Sequence, residues 1–180
     1  MQKTIIIGIG NVLFKDEGIG VYASKYIEKN YSFEPSIEIL DGGTLGFKLM
    51  SFFQEYDNVF ILDTVSIEDK PGSVYCLPSD VLLGLGAYRK TAHEVEIIEM
   101  LEICSLLESH ATVTVIGMVP QDIESVQSAL TDEVTNGFET LIEKTVEELN
   151  KIGIKANKKQ DAVTLQNIIE NFFSDQKMEQ

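Results

Sequence analysis

The chain has 180 residues, 44% of them apolar, with 29 acidic and 14 basic side chains and a formal net charge of −15 at pH 7. This length and composition suit one globular domain with a sizeable core. The excess acid repels phosphate groups, so we expect neither a nucleic-acid partner nor an anionic membrane surface. No stretch approaches the roughly 20 apolar residues of a membrane span. The N-terminal apolar run meets glycines and Asp16 too soon for a signal peptide.

The two cysteines, Cys76 and Cys104, lie in apolar surroundings and lack the spacing of a redox or metal-binding pair. We therefore expect reduced core thiols and a cytoplasmic protein. Neither cysteine lies in a glycine-rich loop, so a thiol nucleophile is not expected.

Strand-like and helix-like segments alternate along the chain. Five short apolar runs are typical of buried strands and lie at residues 4–10, 37–40, 59–63, 73–77 and 112–117. Apolar residues recur at helical spacing in the segments 19–27, 45–53, 93–107, 134–149 and 165–172. This order predicts a single α/β domain with a mostly parallel, twisted sheet of about five strands and helices on both faces. The link before the fourth run is too short for a helical crossover, so that strand is expected either antiparallel to the third or at an edge.

The chain divides by composition near residue 153. Residues 1–153 contain all the predicted strands and form the predicted main domain. Residues 154–180 begin with the polar run KANKKQ, which we expect to be a linker, and continue into a helix with an apolar stripe. That helix either docks on the domain as an appendage or awaits a partner.

The loop after the first strand, GNVLFKDEGIG at residues 10–20, has the glycines of a phosphate-binding turn. The dinucleotide fingerprint is broken, because Leu13 stands where its third glycine belongs. Asp16 and Glu17 would also repel a phosphate. We therefore do not expect a nucleotide, and we expect Asp16 to cap the following helix.

Acidic residues follow each of the first three predicted strands: Glu17, Asp41 and Asp63. The carboxyl ends of parallel strands share one edge, where open α/β sheets bind their ligands. A cluster of acids at this edge favours a cation. Alternatively, each acid caps a helix, and Asp41 holds a glycine turn as an Asx turn. We expect Gly42 and Gly43 to adopt backbone conformations closed to residues with a Cβ atom.

His93 stands at the start of a predicted helix, where the helix dipole disfavours the imidazolium and leaves a ring that can bind a metal. A single histidine is a weak signal, and a structural role is the alternative. His110, at the end of the same helix, is expected to be a solvated surface residue.

Six separated segments resemble, in the same order, the endopeptidases that mature nickel-iron hydrogenases. They are GIGNVLFKDEGIGV, EILDGGTLG, FILDTV, PGSVY, TAHE and VIGMVPQ. The resemblance covers about residues 4–150. It implies that residues 1–153 form a cytoplasmic peptidase domain, which removes a short C-terminal extension from the hydrogenase large-subunit precursor.

The resemblance also implies site residues. Glu17, Asp63 and His93 match the family's metal-contacting trio, and Asp41 matches an aspartate implicated in activity. We therefore predict an aspartyl-type endopeptidase with Asp41, Glu17 and Asp63 as catalytic residues. The cofactor is expected to be nickel, already installed in the precursor and recognised there before cleavage.

Two other functions stay open at this point. Carboxylates with one imidazole suit nickel, zinc, iron or manganese, so the same residues fit a self-contained metallohydrolase that holds its own metal. They also fit a nickel or large-subunit chaperone that binds the precursor without cutting it.

Overall fold

The structure is a computed structural model and describes residues 2–84, 99–100, 102 and 111–175. Its strands are β1 (Thr4–Ile9), β2 (Tyr31–Glu34), β3 (Glu38–Gly43), β4 (Asn58–Thr64), β5 (Val74–Pro78), β6 (Thr112–Met118) and β7 (Lys155–Lys158). Its helices are α1 (Ile19–Asn30), α2 (Met50–Glu55), α3 (Ser79–Gly84), α4 (Asp132–Lys151) and α5 (Leu165–Asp175), with 3₁₀ turns at Lys15–Gly18 and Gly46–Leu49. Of the predicted helix 93–107, residues 99, 100 and 102 are helical and the rest lies outside the described residues.

Five strands form one sheet in the order β3-β1-β4-β6-β5. The first four pair in parallel, and β5 pairs antiparallel with β6. The predicted single α/β domain with a mostly parallel five-stranded sheet is confirmed. The fourth apolar run, β5, lies at the edge of the sheet. It cannot pair with β4, because β1 and β6 already occupy both edges of that strand.

Helices cover both faces of the sheet, as predicted. One core cluster joins α1, α4 and α5 to Ile6 of β1. The other joins Leu49 and Phe53, beside and within α2, to Ile5 and Ile7. Because successive side chains of β1 enter opposite clusters, the strand reads as a continuous apolar run rather than an alternating one.

Residues 155–158 do not form the expected linker but the strand β7, which pairs antiparallel with β2. Tyr31 lies opposite Lys158, and Glu34 lies opposite Lys155. The strand β2 was not predicted, because only its Tyr31 and Phe33 pack against the core, while Ser32 and Glu34 are exposed. The pairing of β2 with β7 is a contact between distant segments, and the pattern of neither segment predicts it.

The C-terminal helix α5 docks on the domain. Ile168 and Phe172 are each 6% exposed and belong to the same core cluster as α1. Among the two arrangements open from the sequence, docking is the one observed. None of the helices within the described residues, α5 included, has the length and apolar character needed to cross a bilayer.

Candidate active site

The three acids singled out in the sequence lie where β3, β1 and β4 end. In the register of the parallel strands, Gly8 of β1 pairs with Asp41 of β3 on one side and with Leu62 of β4 on the other. Asp63 is therefore one residue further along than Asp41, with β1 between them. Because β3 and β4 are two strand spacings apart, the backbones of Asp41 and Asp63 are separated by about 10 Å.

Asp63 is buried, with 1% of its surface exposed. One carboxylate oxygen, Oδ1, accepts a hydrogen bond from the backbone N–H of Thr64 at 2.7 Å. Because side chains alternate along a strand, Asp63 points to the same face as Ile61 and Val65, which belong to the cluster on the α2 side. The low dielectric of this surrounding strengthens the attraction between the carboxylate and any approaching cation.

Asp41, in contrast, is exposed. Its Oδ1 accepts the backbone N–H of Gly43 at 3.0 Å, which is the Asx turn considered above. Ile39, two residues earlier, packs on the α1 side of the sheet. Alternation therefore directs Asp41 and Asp63 toward opposite faces, and one ion does not bridge both carboxylates without rearrangement of the edge.

The turn after Asp41 depends on its glycines in two ways. Gly43 has a φ of 43°, in the left-handed region that favours glycine. At Gly42 the restriction is space, since a Cβ atom would lie 2.7 Å from Cγ2 of Ile7. The conformational expectation is thus correct for Gly43, whereas Gly42 is limited by packing. The carbonyl of Gly43 accepts the N–H of Gly10 at 3.0 Å, which ties this turn to the first loop.

Glu17 lies in the 3₁₀ turn Lys15–Gly18, which packs against β4. Its N–H donates to the carbonyl of Phe14 at 3.0 Å, and its side chain is half-buried. A Cβ atom at Gly10, whose φ is 137°, would overlap the carbonyl oxygen of Glu17. Glycine at position 10 therefore lets the loop pass close to the backbone of Glu17, and the 3₁₀ turn that holds Glu17 contacts β4, the strand that contains Asp63.

Asp16 does not cap α1, contrary to the expectation from the sequence. The N-cap of α1 is Gly18, and no side chain caps it. The carboxylate of Asp16 is fully buried and accepts backbone N–H groups of Gln121, Asp122 and Thr131 instead. The signal for this role in the sequence was indirect: the segments around residues 16 and 121 both belong to the resemblance described above.

An ion pair also holds the segment that contains Asp122 against the loop that contains Lys15. Lys15 Nζ lies 2.9 Å from Oδ2 of Asp122. Hydrogen bonds from Ser125, together with the one from Lys15, hold the pKa of Asp122 well below its usual range. Asp122 therefore stays anionic at neutral pH and remains paired with Lys15.

His93 lies outside the described residues, so the predicted trio of Glu17, Asp63 and His93 is described only in its two acids. Among the residues that the structure does describe, no three histidine, cysteine or acidic side chains are grouped as a metal site. The carboxylates of Glu17 and Asp63 are hard oxygen donors, the type of ligand that a divalent metal ion can use.

Cys76 of β5 is a free thiol. Burial, together with the negative charge of the neighbouring Glu148, raises the pKa of this thiol to about 11. At neutral pH Cys76 is therefore protonated and a poor nucleophile. This agrees with the expectation that catalysis does not use this cysteine.

Comparison with known proteins identifies the class. A family model described as hydrogenase maturation protease matches residues 21–148. The hydrogenase 2 maturation protease of Escherichia coli strain K12 is 28% identical over 157 residues, which cover 86% of this chain and 95% of that protein. The hydrogenase expression/formation protein HupD of Rhizobium leguminosarum bv. viciae is 29% identical over 171 residues, covering 94% of this chain and 85% of that protein.

The solved structures agree. The hydrogenase maturating endopeptidase HybD from Escherichia coli matches with a TM-score of 0.81 and 27% identity, covering 88% of this chain and 99% of that chain. The maturation protease HybD from Thermococcus kodakarensis matches with a TM-score of 0.66 and 28% identity, over 82% and 98% of the two chains. The chain belongs to the hydrogenase maturation protease family. It is a peptide hydrolase, and the resemblance stated from the sequence is confirmed.

Proposed function

We propose that this chain removes the C-terminal extension from the large-subunit precursor of a nickel-iron hydrogenase after nickel has been inserted. The observation that carries the proposal is the placement of Glu17 and Asp63. The 3₁₀ turn that holds Glu17 packs against β4, in which Asp63 is the last residue but one. Two acidic residues from distant parts of the sequence thus lie near the carboxyl ends of the strands, which is where α/β proteins bind their ligands.

Nickel enters this function as part of the substrate. Carboxylate oxygens with an imidazole nitrogen form a mixed ligand set that suits nickel, and we assign Glu17, Asp63 and His93 to contact it. Three ligands from separate parts of the chain bind an isolated ion weakly, whereas a docked precursor adds its own ligands to the same ion. Contact with nickel then licenses cleavage of a precursor whose metal site is complete.

Asp41 is assigned the proton transfer. Hydrolysis of a peptide bond needs a base that takes a proton from the attacking water. Asp41 is the exposed carboxylate of the three, and the N–H of Gly43 fixes its orientation. Glu17 and Asp63 contribute to catalysis by holding the nickel of the precursor and with it the scissile bond. On this assignment the enzyme is an endopeptidase of the aspartyl type.

The partner in this proposal is the large-subunit precursor, and the compartment is the cytoplasm. The net charge of −15 disfavours nucleic acid and anionic membranes as competing partners. A free thiol at Cys76 suits a reducing compartment.

The test uses the full chain with matched nickel-loaded and nickel-free precursor, and mass spectrometry of the large subunit. Only the nickel-loaded precursor is expected to lose its extension. His93→Ala and Asp63→Asn are each expected to slow this cleavage about a hundredfold, because each removes one ligand. Lys159→Ala, an exposed substitution whose Nζ bonds only the carbonyl of Glu28 among the contacts in the described residues, serves as the control and leaves the rate unchanged.

The alternative functions give different results in the same assay. A self-contained metallohydrolase cuts both precursor forms and is purified with a stoichiometric metal that its activity requires. A chaperone co-elutes with the precursor and leaves its mass unchanged. Either result overturns the proposal.

A further inference from the structure

The buried carboxylate of Asp16 joins the first loop to the segment 120–131 that follows β6. Its Oδ2 accepts the backbone N–H groups of Gln121 and Asp122, both at 2.9 Å. Its Oδ1 accepts the backbone N–H of Thr131 at 2.8 Å, and the Thr131 hydroxyl donates to the same carboxylate. These donors lie at least 105 residues from Asp16 in the sequence. The contact is therefore a tertiary tie and not a local cap.

The backbones of the two segments are bonded along their length as well. The N–H of Asp16 donates to the carbonyl of Asp122 at 3.0 Å, and the N–H of Lys15 donates to Gln127 at 2.9 Å. In return, the N–H of Gln127 donates to the carbonyl of Leu13 at 2.8 Å. The segment 120–131 is thus hydrogen-bonded to the loop that carries Glu17 and supports it from one side.

We infer that Asp16 is a positioning residue that holds Glu17 in place for the nickel of the substrate. Glu17 follows Asp16 directly, and its own N–H is bonded to Phe14 within the same short turn. A shift of Asp16 therefore changes the direction in which the Glu17 side chain leaves the loop. The inference rests on the proposed function in one respect, namely that Glu17 contacts the nickel of the precursor.

The chemistry of the carboxylate explains why aspartate is needed at this position. The substitution Asp16→Asn keeps the shape of the side chain but replaces one acceptor oxygen by an NH₂ group. In one orientation this group faces the N–H of Thr131, and in the other it faces the N–H groups of Gln121 and Asp122. A buried donor then has no acceptor, and the two segments separate locally.

The experiment compares Asp16→Asn with Asp132→Asn in the full chain. The control makes the same chemical change at an exposed residue next to Thr131. Hydrogen exchange followed by NMR measures the amides of Glu17 and Ile61, and Ni²⁺ titration measures paramagnetic broadening of the Glu17 amide. We expect Asp16→Asn to speed exchange at Glu17 about tenfold relative to Ile61, and the control to change it by less than about twofold.

Two further measurements separate positioning from general stability. In Asp16→Asn, the Ni²⁺ midpoint rises and the kcat for cleavage of nickel-loaded precursor falls, each by about ten- to a hundredfold, while KM changes little. If Asp16→Asn does not fold, Thr131→Val removes the hydroxyl that donates to Asp16 and that also accepts the N–H of Val134 at the start of α4, and it gives a smaller effect of the same sign. Thr131→Ser, which keeps that donor, restores the wild-type values.

The outcomes are distinguishable. A lowered melting temperature with unchanged Glu17 exchange, relative to Ile61, shows that Asp16 is only structural and overturns the inference. Faster exchange with an unchanged kcat and an unchanged Ni²⁺ midpoint overturns it as well. A wild-type chain that cleaves no precursor defeats the proposed function, while the exchange and Ni²⁺ measurements still decide whether Asp16 positions Glu17.

Discussion

The ring of Phe172 in α5 meets the ring of Tyr22 in α1 edge to face, with centroids 5.5 Å apart. Tyr22 is fully buried, and burial raises its pKa to about 12. The C-terminal helix is thereby part of the core. We expect Phe172→Ala to lower the free energy of unfolding by about 3 kcal/mol, through the lost contact area and the cavity left behind.

The neighbouring Phe173 provides a matched control, because it is 45% exposed. We expect Phe173→Ala to change the free energy of unfolding by less than about 1 kcal/mol. Urea titration followed by circular dichroism measures both variants. Equal destabilisation by the two substitutions would contradict the docked position of the helix.

Asn30, at the end of α1, should stabilise the segment that leads into α5. Its Nδ2 donates to the carbonyl of Val163 at 2.9 Å, and its Oδ1 accepts the N–H of Val163 at 2.6 Å. Asn30 is fully buried, so Asn30→Ala leaves two backbone groups poorly satisfied and is expected to cost about 2 kcal/mol in urea unfolding. The control is Asn157→Ala, at an exposed position of β7. An equally large loss of unfolding free energy in this control would show that the hydrogen bonds between Asn30 and Val163 make no specific contribution to stability.

Position 43, in the turn after Asp41, should tolerate only residues that adopt a positive φ. Gly43→Val is expected to abolish most precursor cleavage, because a β-branched side chain is disfavoured at a φ of 43°. Gly43→Asn should retain much of the activity, since asparagine visits this region at low cost. The measurement is kcat/KM on nickel-loaded precursor, with circular dichroism to verify the fold. Full activity of Gly43→Val would show that the turn is only a connector.

The thiol of Cys76 should titrate far above its ordinary value of 9.0, because burial raises its pKa to about 11. In a Cys104→Ser background, alkylation of the folded chain by iodoacetamide is expected to be slow at pH 8. The rate should rise about tenfold per pH unit toward pH 11, because the thiolate is the reactive form.

Cys76 also links stability to pH. In the unfolded chain the thiol loses its proton near pH 9, whereas the folded chain retains it to about pH 11. Its contribution to stability is therefore complete below pH 9 and is lost between pH 9 and 11. An alkylation profile of the folded chain with its midpoint near pH 9 would disprove the shift.

The sequence by itself determined the sheet and the location of the acids. The runs TIIIGI and NVFILDT consist of residues that are all buried, and continuous burial is a local property that the pattern of side chains encodes directly. The order of strands and helices predicted a mostly parallel sheet, and parallel strands gather their carboxyl ends at one end of the sheet. Glu17, Asp41 and Asp63 were therefore placed at that edge from the sequence, whereas His93 stays a prediction.

Only the tertiary structure decided which of these groups act together. The hydrogen bonds of Asp16 reach donors at least 105 residues away, the partner of β2 is β7, and α5 closes over α1. The opposite faces of Asp41 and Asp63 follow from the register of three strands. Periodicity describes how each segment is buried but carries no information about which distant segment covers it. That choice is made by the packing of the whole chain, in which each buried polar group must find its partner.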